Sequence, residues 1–250
     1  MKYIAHRGYS SKATENTIEA AILAGKSKYF YGIEYDIHLT KDNKFIVHHD
    51  FTTERLSELN LTIKESTYSE LSKVKLINKT TKEYNLDIPL LDEYINICNK
   101  HDKVNVIEIK PIFNDEEIDL FLNEIKKANN VIVISFNLNN LLKIRKLNSN
   151  IKLQYLTGEF NKENFKICKD NNIDLDLNYA LINKENMEYF KENNFIVNCW
   201  TVNNNELANE LINLKVDFIT TDGLLEYKYW KSQYPNNRAI YSKIYHMFNS

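Results

Sequence analysis

Short apolar runs alternate with longer amphipathic stretches along almost the whole chain. Short apolar runs between polar turns are typical of buried strands, and apolar residues repeating every three or four positions indicate helices. The runs predict strands at residues 4–6, 33–39, 45–49, 104–109, 131–136, 152–156, 173–177, 195–200 and 218–221. The amphipathic stretches predict helices at residues 16–26, 91–100, 116–128, 138–147, 162–170, 184–193 and 204–214.

Eight of these predicted strands fit one closed parallel sheet. Strands that alternate with helices form parallel βαβ units, but only five residues separate the second run from the third. Parallel neighbours need a crossover of a dozen or more residues, so these two runs must form an antiparallel hairpin. The remaining eight strands in a chain of 250 residues predict an α/β fold, a (β/α)8 barrel of the TIM type.

The hairpin brings a histidine close to an acidic strand. A two-residue Asp42-Asn43 turn would place Asp36 opposite His49. A slip of one residue would replace His49 by His48, because neighbouring strand residues point to opposite faces of a sheet. The pattern alone leaves both histidines open.

Residues 51–88 interrupt the alternation of strands and helices. They are polar, rich in Thr, Lys, Glu and Ser, and show only weak helical periodicity at residues 69–76. An insertion of this length in a compact domain is commonly a lid or a small subdomain, and after a strand end it leaves from the active-site face of a barrel. We therefore interpret residues 1–250 as a single barrel domain that carries this insertion.

Composition and charge narrow the classes of partner. Lys and Arg number 32 and Asp and Glu number 34, so the net charge of −2 gives no general attraction for nucleic acid or an anionic membrane. No apolar run reaches the roughly 20 residues of a transmembrane helix, and no signal peptide precedes the first predicted strand. The sequence predicts a cytoplasmic protein with a small-molecule substrate, and it does not predict the oligomeric state.

Two further features are expected to be structural. The cysteines Cys98, Cys168 and Cys199 are odd in number, far apart and in apolar surroundings, so we expect buried free thiols. Residues 228–250 are aromatic and mildly basic. We expect a last helix packed on the barrel there, with binding to a membrane surface or a partner as the alternative.

The second predicted strand carries two carboxylates among apolar residues. Glu34 and Asp36 are two residues apart, so their side chains point to the same side of the strand. Two neighbouring acids on a buried strand repel each other and lose hydration, a cost that a bound cation offsets. A surface strand with a polar face is the alternative, and this segment alone does not decide between the two.

Several other predicted strands end in polar residues that a barrel core would not favour. These residues are His6, Arg7, Glu108, Lys110 and Trp200. Because the carboxyl ends of barrel strands converge on one mouth, we expect these side chains to meet the acid pair there.

This set of residues suits phosphodiester cleavage. The carboxylates of Glu34, Asp36 and Glu108 are hard oxygen ligands that favour Mg²⁺ or Ca²⁺ over zinc. Arginine and lysine bind phosphate oxygens, and two histidines can act as general acid and base near neutral pH. Each residue taken singly also has a structural explanation, such as a buried histidine or an ion pair between Glu108 and Lys110.

Nine short motifs resemble the glycerophosphodiester phosphodiesterase family, in the order in which that family has them. They are Ile4-Ala5-His6-Arg7-Gly8, Glu15-Asn16-Thr17, Glu34-x-Asp36, Thr40-Lys41-Asp42, Val47-x-His49-Asp50, Ile88-Pro89-x-Leu91-x-Glu93, Glu108-Ile109-Lys110, Trp200-Thr201-Val202-Asn203 and Thr220-Thr221-Asp222. Two positions depart from the family pattern. Thr14 stands where a proline usually precedes Glu15, and Gly223-Leu224 stands near the place of another usual proline.

The resemblance implies a barrel with a small insertion after the His-Asp motif, and a cofactor of one divalent cation, Mg²⁺ or Ca²⁺. The implied site residues are Glu34, Asp36 and Glu108 for the metal, His6 and His49 for acid/base catalysis, and Arg7, Lys110 and Trp200 for the substrate. The implied reaction releases glycerol 3-phosphate and an alcohol. In it the glycerol 2-hydroxyl attacks phosphorus, and water then opens the cyclic phosphate.

Two alternatives differ in what they require of the barrel mouth. A lysophospholipase D or a sphingomyelinase-D-like enzyme would share the histidines and carboxylates but would need a deep apolar groove, which the polar composition of residues 51–88 disfavours. A non-catalytic binding protein on the same fold would be expected to lack one of these residues, and none is missing.

Overall fold

The computed structural model of the protein describes residues 1–224. The predicted last helix at residues 228–250 lies outside the described residues. Within residues 1–224 the strands are β1 (Lys2–Ala5), β2 (Phe30–Leu39), β3 (Phe45–Val47), β4 (Leu76–Ile77), β5 (Tyr84–Leu86), β6 (Val104–Ile109), β7 (Val131–Ser135), β8 (Lys152–Thr157), β9 (Asp174–Asn178), β10 (Val197–Trp200) and β11 (Phe218–Thr221).

Eight of these strands form a closed parallel barrel. The strand order is β1-β11-β10-β9-β8-β7-β6-β2, and β1 also pairs with β2, which closes the ring. β3 pairs with β2 in the antiparallel direction and is not one of the eight parallel barrel strands. The predicted (β/α)8 barrel is therefore confirmed, including the removal of the hairpin arm from the strand count.

Helices connect the barrel strands, and most of them begin at polar caps, α3 with Leu90 before it being an exception. They are α1 (Ile18–Lys26), α2 (Tyr68–Leu71), α3 (Leu91–Lys100), α4 (Asp115–Glu124), α5 (Leu138–Leu147), α6 (Lys162–Asp170), α7 (Lys184–Glu192) and α8 (Asn205–Asn213). The side chain of Thr17 caps α1, and asparagine side chains cap α4 to α8, because their oxygens accept hydrogen bonds from otherwise unpaired backbone N–H groups. No helix in the described part of the chain is long and apolar enough to cross a membrane.

The register predicted for the hairpin is wrong by one residue. Leu39 pairs with Phe45, and the N–H of Thr40 donates to the carbonyl of Lys44 at 2.9 Å, so the loop holds three residues rather than two. Asn43 takes a left-handed conformation with φ of 58°, which is typical of the third residue in such loops. The N–H of His48, not of His49, therefore donates to the Asp36 carbonyl at 3.0 Å.

The inward-facing side chains of β2 and β6 change character along the barrel axis. Val104 and Val106 belong to an apolar cluster with Ile4, Ile132 and Ile134. Further along the same faces, Asp36 and Glu108 are direct neighbours across the two strands. Because alternate strand residues share a face, the acids lie above an apolar plug at the carboxyl ends of the strands.

The insertion at residues 51–88 packs its apolar side chains together with Ile46 of β3 and is attached to the first barrel loop. Its apolar cluster contains Ile63, Leu71, Val74 and Leu76. The buried hydroxyl of Thr14 donates to the carbonyl of Ile77 at 2.7 Å and accepts from the N–H of Lys79 at 2.8 Å. A proline at position 14 has no hydroxyl and could not make this link.

Candidate active site

Three carboxylates converge at the mouth of the barrel. One oxygen from each of Glu34, Asp36 and Glu108 lies within 4.8 Å of the other two, and all three residues are buried. Two of them come from the inward face of β2 and the third from the paired position on β6. The sequence spacing thus places three oxygen donors around one small volume.

Burial and mutual repulsion distribute the charge of these acids unequally. Burial, together with Asp36 and Glu108, raises the pKa of Glu34 well above its usual range. Burial and Asp36 raise the pKa of Glu108 to about 8. For Asp36 burial acts in the same direction, but Lys110 and Arg7 outweigh it and lower the pKa to about 2. Burial and mutual repulsion therefore disfavour ionisation of Glu34 and Glu108, whereas the neighbouring cations favour it at Asp36.

The oxygens of the cluster fit a divalent cation. Oε1 of Glu34 and Oδ1 of Asp36 are buried and accept no hydrogen bond from any described residue. Oε1 of Glu108 likewise accepts no well-aligned hydrogen bond, although the Lys110 ammonium lies 2.7 Å away. Buried acceptors without partners are costly, and hard oxygen donors in such a group are the ligands that Mg²⁺ and Ca²⁺ prefer.

Two cationic side chains border the acids. Nζ of Lys110 lies 2.7 Å from Glu108 and 3.4 Å from Asp36. Nε of Arg7 lies 3.4 Å from Oδ2 of Asp36, and the Arg7 N–H donates to Oε2 of Glu34 at 2.8 Å. Each side chain keeps a small exposed fraction, 19% for Arg7 and 12% for Lys110, through which an anion can reach it.

A tight turn after β1 aims Arg7 at the acids. Arg7 and Gly8 both have positive φ, 54° and 79°, a region that costs a residue with a side chain free energy. A Cβ on Gly8 would lie 2.7 Å from Cβ of Ala20, so only glycine fits there. Asn16, with φ of 56°, donates from Nδ2 to Oδ2 of Asp36 at 2.8 Å.

Each of the two predicted catalytic histidines is paired with a carboxylate. Nδ1 of His6 lies 2.7 Å from Asp222, and Nδ1 of His49 lies 2.7 Å from Asp50. Burial would raise the pKa of Asp222, but hydrogen bonds from His6, Ser10 and Asn203 outweigh it and lower that pKa to about 2. With Nδ1 held in this way, Nε2 of each ring is the nitrogen available to a substrate.

The structure brings His49, and not His48, close to Asp36, Lys110 and Arg7. His48 is fully buried and its Nε2 lies 3.2 Å from the carbonyl of Thr52. His49 is partly exposed, and its pKa is lowered by burial and by Lys110, against the opposing effect of Asp36. The alternation of strand faces no longer applies at His49, because β3 ends at Val47.

Trp200 packs against Phe136 and against the apolar cluster inside the barrel. Its indole N–H donates to the carbonyl of Asp176 at 3.2 Å. Its ring packs edge-on against Phe136 with centroids 5.5 Å apart, and Nζ of Lys110 lies 5.9 Å from the Phe136 ring centre. No contact joins Trp200 directly to the carboxylates among the interactions of the described residues.

A cleft of about 380 Å³ opens beside His6 and Arg7. Its other walls come from the first barrel loop and from the insertion, which contributes Leu56, Lys79 and Lys82. The insertion therefore lines this cleft, which adjoins the site at His6 and Arg7.

Sequence reasoning assigned no role to the residues that hold this site in place. Glu15, Asn16, Asp50 and Asp222 occur inside the quoted motifs, but they lie in loops, where no periodicity indicates which way a side chain points. Arg55, which contacts both Glu15 and Asp50, lies outside every motif.

Comparison with known proteins gives one consistent family. Residues 6–225 match the Glycerophosphoryl diester phosphodiesterase family. A glycerophosphodiester phosphodiesterase of Caldanaerobacter subterraneus subsp. tengcongensis is 30% identical, over 88% of this chain and 93% of its own length. The structure of an Oleispira antarctica phosphodiesterase in complex with sn-glycerol-3-phosphate matches with a TM-score of 0.83 at 23% identity, over 89% of this chain and 93% of that one. A mouse lysophospholipase D is 26% identical over 72% of this chain and 52% of its own length.

Proposed function

The chain belongs to the glycerophosphoryl diester phosphodiesterase family and is a phosphoric diester hydrolase, and from that premise we propose how it works. It hydrolyses a glycerophosphodiester to glycerol 3-phosphate and an alcohol, with one divalent cation, Mg²⁺ or Ca²⁺, and with His6 and His49 as the acid/base pair. The observation that carries this proposal is the group of three buried carboxylates, each with an oxygen that accepts no well-aligned hydrogen bond, bordered by Arg7 and Lys110.

Glu34, Asp36 and Glu108 would hold the cation. Bound there, a divalent ion supplies Lewis-acid polarisation of a phosphoryl oxygen and helps to activate the nucleophile. The carboxylates could all ionise in its presence, since the cation removes the repulsion that now raises the pKa of Glu34 and Glu108.

Arg7 and Lys110 bind the phosphate. The guanidinium of Arg7 offers a planar fork to two oxygens, and the ammonium of Lys110 offers a compact charge. Both cations already lie within 3.4 Å of Asp36. They can therefore stabilise the negative charge that grows on the phosphoryl oxygens next to the carboxylates.

The histidines move the protons. Asp50 and Asp222 fix the orientation of the two imidazoles through Nδ1. One Nε2 takes the proton of the attacking hydroxyl, and the other gives a proton to the departing alcohol. The glycerol 2-hydroxyl is the attacking group that the family resemblance implies, and Trp200 with Phe136 gives the substrate an apolar wall.

Lysophospholipase D activity is the second candidate. Three large apolar residues have exposed fractions of 50% or more, Phe51 at 58%, Ile112 at 73% and Phe136 at 50%. They follow β3, β6 and β7, on the face of the barrel where the parallel strands end. An acyl chain of a lysophospholipid could cover these apolar side chains.

A product assay with and without metal tests the proposal. We expect glycerol 3-phosphate to form from glycerophosphocholine, glycerophosphoethanolamine or glycerophosphoglycerol. EDTA should stop the reaction, and added Mg²⁺ or Ca²⁺ should restore it, because the carboxylates cannot bind phosphate alone. Choline release from lysophosphatidylcholine, with no turnover of the glycerophosphodiesters, would favour the second candidate. Full turnover by protein shown to be metal-free by elemental analysis would contradict the metal site.

A further inference from the structure

Arg55 lies in the insertion and bridges two carboxylates of the barrel. Its Nε lies 2.5 Å from Oδ2 of Asp50, and its two terminal nitrogens lie 2.7 and 3.1 Å from the oxygens of Glu15. The guanidinium thus makes a two-point contact with Glu15 while it holds Asp50 through its remaining N–H. A planar fork of five donors is the side-chain group suited to this arrangement.

Each of these carboxylates holds one member of the proposed catalytic group. Oδ1 of Asp50 lies 2.7 Å from Nδ1 of His49. Oε1 of Glu15 accepts from Arg7 at 2.8 Å. Arg55 therefore connects the acid/base histidine on one side with the phosphate-binding arginine on the other, and it touches neither of them.

The insertion fixes the place of the guanidinium. The loop that carries it is closed by two contacts between neighbouring segments, because the N–H of Thr53 donates to the Leu61 carbonyl at 3.1 Å and its hydroxyl accepts from the Leu61 N–H at 3.0 Å. Thr53 is fully buried. Hydrogen bonds within the insertion thus hold the backbone that carries Arg55.

The negative charges of Glu15 and Asp50 explain why a positively charged side chain stands between them. Burial would raise the pKa of Glu15, but hydrogen bonds from Arg55 and Arg7 outweigh it and lower that pKa. Hydrogen bonds from Arg55 and His49 likewise outweigh burial and lower the pKa of Asp50. Without Arg55, two acids held by the same group would repel each other and lose their common partner.

We propose that Arg55 is a positioning residue, supplied by the insertion, that holds His49 and Arg7 in their working geometry through Asp50 and Glu15. The insertion at residues 51–88 then completes the active site in addition to forming a wall of the cleft. This inference rests on the proposed function, since it assigns Arg55 a part in that reaction.

Substitution and chemical rescue test the proposal. Arg55→Ala should lower kcat/KM about 10- to 100-fold, the usual effect of removing a group that orients a catalytic side chain. Arg55→Lys should remain low, because an ammonium cannot hold two carboxylates in a fixed plane. Guanidinium chloride at tens of millimolar should restore part of the Arg55→Ala turnover. The Arg55 side chain is 45% exposed, so a free guanidinium ion can reach its place. Sodium chloride at the same ionic strength should not restore turnover.

Lys64 provides the matched control. It also lies in the insertion and pairs with a barrel carboxylate, that of Glu117 at the start of α4, but it contacts neither Asp50 nor Glu15. Lys64→Ala should keep the kcat/KM of the unchanged protein and should show no response to guanidinium. Circular dichroism and urea unfolding should confirm that both variants are folded under assay conditions.

Two results would overturn the proposal while the unchanged protein is active. One is an Arg55→Ala variant with the kcat/KM of the unchanged protein. The other is a loss in Arg55→Ala that Lys64→Ala shares and that guanidinium does not reverse, which would mean general loosening of the insertion. Absence of turnover by the unchanged protein would instead contradict the proposed function itself, so the two failures are distinguishable.

Discussion

The two halves of the barrel are built differently. Between β7 and β11, each strand–helix unit repeats one plan, in which a strand leads through a loop to a helix capped by asparagine. The caps are Asn137, Asn161, Asn183 and Asn204. Between β1 and β6 the plan is interrupted by a hairpin and by the insertion.

The inward faces of the two halves differ in the same way. In the first half they end in carboxylates with unpartnered oxygens. In the second half the buried polar side chains include Asp176, whose Oδ1 also accepts no hydrogen bond, and the neutral pair Asn198 and Thr220, which bond to each other at 3.1 Å. The second half adds Asp222, which holds His6, and Trp200. The regular half thus holds a buried acid, Asp176, among neutral polar side chains, whereas the irregular half groups its buried carboxylates with the cations Arg7 and Lys110.

The strongest test of this division lies in the histidines of the first half. His6→Asn and His49→Asn should each lower kcat by about 10²- to 10⁴-fold, the usual contribution of a general acid or base. The melting temperature should change little, because both side chains are partly exposed. Steady-state kinetics on a glycerophosphodiester, with thermal unfolding in parallel, provides the measurement.

His48→Asn is the matched control for the pair. His48 is fully buried and faces the Thr52 carbonyl, so its loss should lower stability more than kcat. If His48→Asn is inactive while His49→Asn retains turnover, the assignment of the acid/base residue on the hairpin is wrong.

The second half should show the opposite response to substitution. Phe190 is fully buried and its ring lies 5.6 and 5.9 Å from those of Phe165 and Phe160. Phe190→Ala should lower the free energy of unfolding by about 3–5 kcal/mol, because it removes apolar contacts and leaves a cavity. Urea titration followed by fluorescence measures this loss. At a temperature where the variant is folded, kcat should match the unchanged protein; a loss of kcat there would contradict the division.

The regular parts of the molecule were predictable from sequence, because period and length decide them. Alternating apolar runs indicated the eight parallel strands, and the short gap between residues 39 and 45 excluded a parallel crossover. Three predicted strand ranges, 4–6, 45–49 and 131–136, extended too far at their carboxyl ends, because β1, β3 and β7 end at Ala5, Val47 and Ser135. The approach of Glu34, Asp36 and Glu108 to one another followed from spacing and from the convergence of strand ends.

The supporting residues were not predictable in this way. The hairpin register depended on one loop residue, since Asn43 accepts a left-handed conformation and lengthens the turn to three residues. Arg55 reaches Glu15 across 40 positions of sequence from a loop without periodicity. Such contacts depend on where the insertion folds back, and no local pattern encodes that.

The smallest expected effect concerns the link between the first barrel loop and the insertion. Thr14 is 5% exposed, and its hydroxyl bonds to the backbone at both Ile77 and Lys79. Thr14→Val keeps the shape but leaves the partly buried carbonyl of Ile77 and N–H of Lys79 without this partner, so we expect a loss of about 1 kcal/mol. Thr14→Ser, which keeps the hydroxyl, should lose less. Because the link is local, hydrogen exchange should quicken mainly at residues 51–88 and not in β7 to β11; equal exchange in the two variants would show that the hydroxyl does not anchor the insertion.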